Sequence, residues 1–149
     1  MFGLGIDQAK GLFFDSKKVI DATTKAERKV FSRFGAFVRR AARSSIRRRK
    51  RVSEPGKPPS SHTGLLKRFI FFAYDLGRRS VVIGPARLSG KIGDAPRALE
   101  YAGKSKVVAR RRGQRVIRTV TIRARPFMGP AFKQEKPKLP AMWRDSVRA

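Results

Sequence analysis

The chain is predicted to be a single α+β domain, and three observations point that way. A proline-free stretch from Asp15 to about Arg49 repeats its apolar residues at helical spacing. Beyond it lie two pairs of short β-branched or aromatic runs, each pair joined by a turn-forming segment. The 149 residues, 40% hydrophobic and with 11 Phe, suit one domain with a real core. The expected architecture is a long N-terminal helix packed on a small antiparallel sheet of two hairpins. A Pro-rich extended loop and short C-terminal helices complete it, with residues 1–14 as an N-terminal arm and 15–149 as the domain.

Residues 1–14 are apolar and Gly-rich without a clean period, so they carry no assignment beyond an arm. In the long helix Val19, Ala22, Ala26, Val30, Phe34, Phe37 or Val38, Ala41 and Ile46 share one face. Asp15 or Ser16 supplies its N-cap. The segment Ser53–Ser61 holds three prolines, a glycine and three serines, so the helix is expected to stop near Val52 and an extended loop to run over 52–64. A short turn at Thr63–Leu66 precedes a first hairpin, Phe69–Tyr74 with Ser80–Gly84. Pro85–Gly93 is a loop, and Pro96–Tyr101 a short helix opened by its proline.

The second hairpin pairs Lys104–Ala109 with Gln114–Ala124 across the turn Arg110–Gly113. Val116, Val120, Ile122 and Ala124 alternate with Arg115, Thr119, Thr121 and Arg123, the pattern of a half-buried strand with a basic outer face. Pro126 and Pro130 bracket a break, followed by a helical turn at Ala131–Glu135 and a last helix at Ala141–Val147.

The charge excludes more than it identifies. There are 37 Lys+Arg against 10 Asp+Glu, a net charge of +27. Such a field repels itself unless a partner screens it, so a polyanion or an acidic protein is expected nearby. The absence of cysteine excludes a disulfide scaffold and Cys-ligated metal, and one histidine leaves no His-based zinc site. His62, in Ser-Ser-His-Thr-Gly, sits among hydroxyls, but sequence neighbours seldom reach triad geometry; a hydrogen-bonded turn is the simpler reading. The acids are scattered and no Walker pattern occurs. The expectation is therefore no enzyme, no cofactor and no metal. No apolar run approaches a membrane span, so no membrane partner is expected either.

The basic residues concentrate in two places. Residues 39–51 hold eight cations in thirteen positions, and residues 101–134 hold ten and no acid. Arg47, Arg48, Arg49 and Lys50 on the helix end, with Arg110, Arg111 and Arg112 at the second hairpin's tip, are the expected contacts to a polyanion or acidic partner.

Several stretches also occur in a telling order. Ala36–Ile46 leads into Pro55-Gly-Lys-Pro-Pro-Ser-Ser-His-Thr-Gly-Leu-Leu66. Ser80-Val-Val-Ile-Gly-Pro85 and Pro96-Arg-Ala-Leu-Glu-Tyr-Ala-Gly103 follow, and Ala124-Arg-Pro-Phe-Met-Gly-Pro-Ala-Phe132 closes the series. Over roughly residues 30–135 this resembles the small neck, or tail-completion, proteins of tailed bacteriophages, often called minor tail components. The resemblance implies a non-enzymatic virion protein at the head–tail junction, made in the host cytoplasm. Such a protein forms a homo-oligomeric ring, of six copies rather than twelve, that joins connector to tail around the DNA channel. It implies that the loop residues Pro55, Gly56, Pro58, Pro59 and His62 reach a neighbouring subunit or ring. Leu99 and Tyr101 would be available for packing, and Phe127 and Met128, with Phe34 on the helix, would act as packing anchors. Connector and tail proteins are the implied partners. Whether the basic face meets DNA in the channel or acidic loops of a neighbour stays open at this point. The alternative class is a basic nucleic-acid-binding module; a nuclease or toxin fits neither the lone histidine nor the dispersed acids.

Overall fold

The computed structural model describes residues 15–86, 95–111, 113–144 and 146–147; the N-terminal arm 1–14, most of the loop 85–93 and Arg112 lie outside them. Helix α1 spans Ser16–Ser45, and the Asp15 side chain caps it by accepting the Lys18 amide at 3.1 Å. Its buried stripe is Ala26, Val30, Phe34, Gly35, Val38 and Ala42. Of the two residues considered for one position, Val38 rather than Phe37 faces the core, and Ala42 lies deeper than Ala41. Val19, at the uncovered first turn, is exposed.

The helix ends about seven residues earlier than expected, at Ser45 rather than near Val52. Ser44 and Ser45 donate their hydroxyls back to the Ala41 and Ala42 carbonyls, satisfying acceptors the ending helix leaves free. Ile46 then turns to extended backbone and buries its β-branched side chain. Ending there also avoids stacking five consecutive cations on one helical end. Arg47–Arg48 (β1) instead pairs in parallel with Ser60–Ser61 (β2), which closes the Pro-rich segment into a strap.

A single turn, α2 (Leu65–Arg68), leads to the hairpin β3 (Ile70–Asp75) and β4 (Ser80–Pro85). Next come α3 (Ala95–Tyr101) and the hairpin β5 (Gly103–Arg111) and β6 (Gln114–Ile122). The chain closes with α4 (Met128–Glu135), a 3-10 turn (Lys136–Lys138) and α5 (Leu139–Trp143), shorter and earlier than the helix expected over 141–147.

Helix α1 is the centre of the domain, packed against β3, β4, α4 and α5. Phe34, Val38, Ala42 and Ile46 meet Ile70, Phe127 and Ala131 in the core, with Leu66, Val81, Ile83, Leu99 and Met128 around them. Phe34 lies edge-on to Phe132, and Phe31 sits between Tyr74 and Trp143. Gly35 lets the helix approach the sheet: a Cβ there would lie 2.8 Å from Phe72 Cδ2 and 2.9 Å from Val81 Cγ2. The packing anchors Phe34, Phe127 and Met128 therefore belong to one core, and Leu99 joins them, while Tyr101 is exposed.

The α+β class and the long helix are as the sequence predicts. The two hairpins, however, do not share a sheet: β3–β4 and β5–β6 are separate two-stranded sheets. β6 is not half-buried. The second hairpin packs on the body chiefly through α3 at its base, and Ile117 and Val120 are exposed. β5 runs closer to the turn than expected, to Arg111 opposite Gln114, while β6 starts at Gln114 as expected and ends at Ile122.

Candidate polyanion interface

The end of α1 builds a basic groove. As the chain leaves the helix, the alternate residues Arg47, Arg49 and Arg51 line a groove of about 800 Å³, with Lys57 and Pro58–Ser60 of the strap and Gln134 of α4 also on its wall. Arg48 and Lys50 are exposed but do not line it. The four cations predicted here are thus divided, because the segment is no longer helical. Glu54, the acid in this groove, is held by Lys57 at 2.6 Å. That ammonium donates to the carboxylate and, by charge, lowers its pKa below the usual value.

Ser44 links this groove to a second one of about 380 Å³, lined by Arg39, Arg40, Arg43 and Lys67. Phe37 carries the Arg33 and Arg40 guanidinium groups at 5.7 and 5.6 Å from its ring centre, so an aromatic side chain here supports cations. Arg39 is committed to structure: its Nε donates to the Ile70 carbonyl at 2.7 Å.

The strap that walls the first groove is tied to its own chain. The Gly56 amide donates to the Ala124 carbonyl at 2.8 Å, and Arg125 Nε donates to the Ser53 carbonyl at 2.8 Å. Gly56 adopts φ +80°, a turn conformation that favours glycine. Of the loop residues expected to meet a neighbour, Pro59 is buried and Pro58 half-buried; Pro55, Gly56 and His62 face outward. In the Ser-His-Thr-Gly turn, Ser61 Oγ accepts the Gly64 amide at 2.9 Å and His62 is exposed. The hydroxyls do the anchoring rather than the imidazole. Among the described residues no group of three or more His, Cys, Asp or Glu could hold a metal ion.

The motifs at 96–103 and 124–132 meet through one carboxylate. Glu100 accepts the amides of Phe127, Met128 and Gly129 at 2.9, 3.1 and 2.7 Å, capping the start of α4 from a distant element. Arg125 donates its amide to the Leu99 carbonyl at 2.6 Å. Sequence reading placed Phe127 and Met128 as anchors but missed Glu100, because a cap supplied from 27 residues away leaves no local signature.

The second hairpin carries a separate basic surface. Arg110 is exposed near its tip; Arg111 is described by its backbone pairing alone, and Arg112 lies outside the described residues. Helix-end and hairpin-tip cations lie on separate surfaces. The groove lies near the segment that follows β6, whereas Arg110 pairs at the far end of the ladder, roughly 25 Å away along the strand at about 3.3 Å per residue. Lys57, Lys67, Lys104 and Lys106, not singled out from sequence, complete these surfaces together with Arg51 and Arg115.

Among the described residues no helix is long and apolar enough to cross a membrane. No protein-family model matches the chain, and neither a curated protein nor a solved structure matches it significantly.

Proposed function

We propose that this chain is a structural protein of the bacteriophage head–tail junction, a neck or tail-completion subunit. In this reading it forms a closed ring that joins connector to tail and surrounds the DNA channel, assembling in the host cytoplasm and ending in the virion. The motif order across residues 30–135 supports the family reading. The observation that carries the assembly is a pair of two-stranded sheets, each with an exposed apolar face. The outer face of β3–β4 exposes Phe71 and Val82, and the β5–β6 hairpin exposes Val120. Two-stranded sheets are marginal alone, so a second layer is needed to make them rigid. Two different faces on one subunit suit a head-to-tail contact, which closes into a ring when the rotation permits.

The basic surfaces favour one other reading, a nucleic-acid-binding module that acts as a small species. Oligomeric mass separates the two. Native mass spectrometry and sedimentation across protein concentration and salt should show one closed oligomer above the monomer, and Val82→Asp should shift it toward monomer. A chain that stays monomeric under all conditions, and in the presence of its connector and tail partners, overturns the ring.

A further inference from the structure

The register of the second hairpin gathers four of its cations on one face. Cross-strand partners share a face, so Lys104 with Thr121, Lys106 with Thr119, Val108 with Ile117 and Arg110 with Arg115 lie on one side. The opposite side carries Ala109, Val116, Val120 and Ile122, with Arg118 among them. Arg110 opposite Arg115 is a like-charge pair, which costs stability in a ladder. None of the ion pairs among the described residues involves this hairpin, and residues 101–134 contain no acid. The fold therefore sustains a repulsion that an anion from outside would relieve.

We infer that this face is a clamp for duplex DNA, with Lys104 and Lys106 on one phosphate backbone, Arg110 and Arg115 on the other, and the hairpin lying across the groove between them. The strand separates Lys106 from Arg110 by about 13 Å and Lys104 from Arg110 by about 20 Å, at 3.3 Å per residue. That reach bridges a major groove about 12 Å wide. Val108 and Ile117 fall between the two cation pairs, over the groove mouth. Thr119 and Thr121 add hydroxyl donors to the phosphate contacts. No aromatic residue occurs in 103–122, so the ribbon offers no stacking platform for single-stranded bases. Contact to phosphates alone suits DNA that must slide, because no base edge is gripped. The inference rests on the neck reading only for why duplex DNA is present.

The test uses the full chain and a fluorescein-labelled 20-base-pair duplex of arbitrary sequence, followed by anisotropy over a KCl series. Replacing Lys104, Lys106, Arg110 and Arg115 by Gln should lower the slope of log K against log salt by about 3.6, at 0.9 per phosphate contact. Each half of the set should lower it by about 1.8 on the same basis. A charge-matched control replaces Arg47, Arg49, Arg51 and Lys57 by Gln. If the control lowers the slope as much as the hairpin variant, net charge explains the binding and the clamp is wrong. A labelled poly-glutamate peptide provides the other arm: loss of peptide binding with duplex binding retained would assign the face to an acidic protein and overturn the inference. Oligomeric mass is recorded for each variant. A wild type that forms no ring but keeps the hairpin-dependent slope defeats the neck reading alone; a ring without that slope defeats the clamp alone.

Discussion

The two hairpins of this chain show the same alternation and meet different fates. In β3–β4, Ile70, Phe72, Val81 and Ile83 turn inward, and helix α1 lies on them, close enough that only Gly35 fits at the crossing. In β5–β6, Val116, Val120 and Ile122 share a face that Arg118 interrupts, α3 meets the hairpin only at its base, and Val120 stays exposed. Alternation records which side of a strand is apolar. It does not record what will cover that side, whether its own chain or another.

The sharpest way to break the comparison is to place a charge on each side of it. Phe34, buried at 3% exposure against Phe132, should not tolerate Phe34→Asp. An unpaired carboxylate there costs on the order of 3–5 kcal/mol, so the melting temperature should fall steeply or the fold be lost. Val120→Asp on the second hairpin should change the monomer's stability by no more than about 0.5 kcal/mol, the usual range for a surface position. Thermal unfolding of both variants below the concentration at which copies associate reads the difference. Equal losses would mean that the second hairpin is part of the core.

That contrast explains how much could be read in advance. The helix was legible from Val30, Phe34 and Val38, because a face that is buried by its own chain must keep its period. Its end was not: the run from Arg47 to Arg51 continues a pattern compatible with a helix, and only the backward hydrogen bonds of Ser44 and Ser45 and the burial of Ile46 stop it. The same error grouped Arg48 and Lys50 with Arg47 and Arg49, which in the folded chain are the two that line the groove, together with Arg51. The Pro-rich segment read as a free reach, whereas Pro59 and the bonds of Gly56 and Ser53 tie it to the segment following β6. Long-range partners are invisible to local composition. The cations of the second hairpin were visible, but bringing Lys104, Lys106, Arg110 and Arg115 to one face needed the register.

A middle-sized effect tests the joint between the two regions. Glu100 ends the helix that supports the second hairpin and caps α4, which packs on α1. Glu100→Gln keeps one oxygen acceptor but removes the charge from three amide bonds. A loss of about 1.5–3 kcal/mol is expected, the range for hydrogen bonds to a charged group. Hydrogen exchange should speed up at Phe127–Gly129 while the β5–β6 amides change little. Equal acceleration along the whole second hairpin would show that the hairpin draws its order from this cap, and the division into a covered and an uncovered region would need redrawing.

The smallest effect belongs to the first turn of α1, an end held by local bonds alone, since residues 15–20 are all exposed. The Lys18 amide, and then its ammonium, donate to Asp15 and hold its pKa below the usual carboxylate value. A pKa lowered on folding means that the unfolded chain takes up the proton first as pH falls. The stabilisation is therefore complete above the ordinary carboxylate value and is lost as pH drops through the lowered one. The Lys18 amide signal, followed by NMR from pH 6 downward, should titrate below the midpoint of a free aspartate. Asp15→Asn keeps an oxygen for the cap and removes the titration, so the signal should then stay flat over that range. A midpoint at or above the ordinary value would mean that the cap does not form, and that the uncovered end of the helix frays where the covered centre does not.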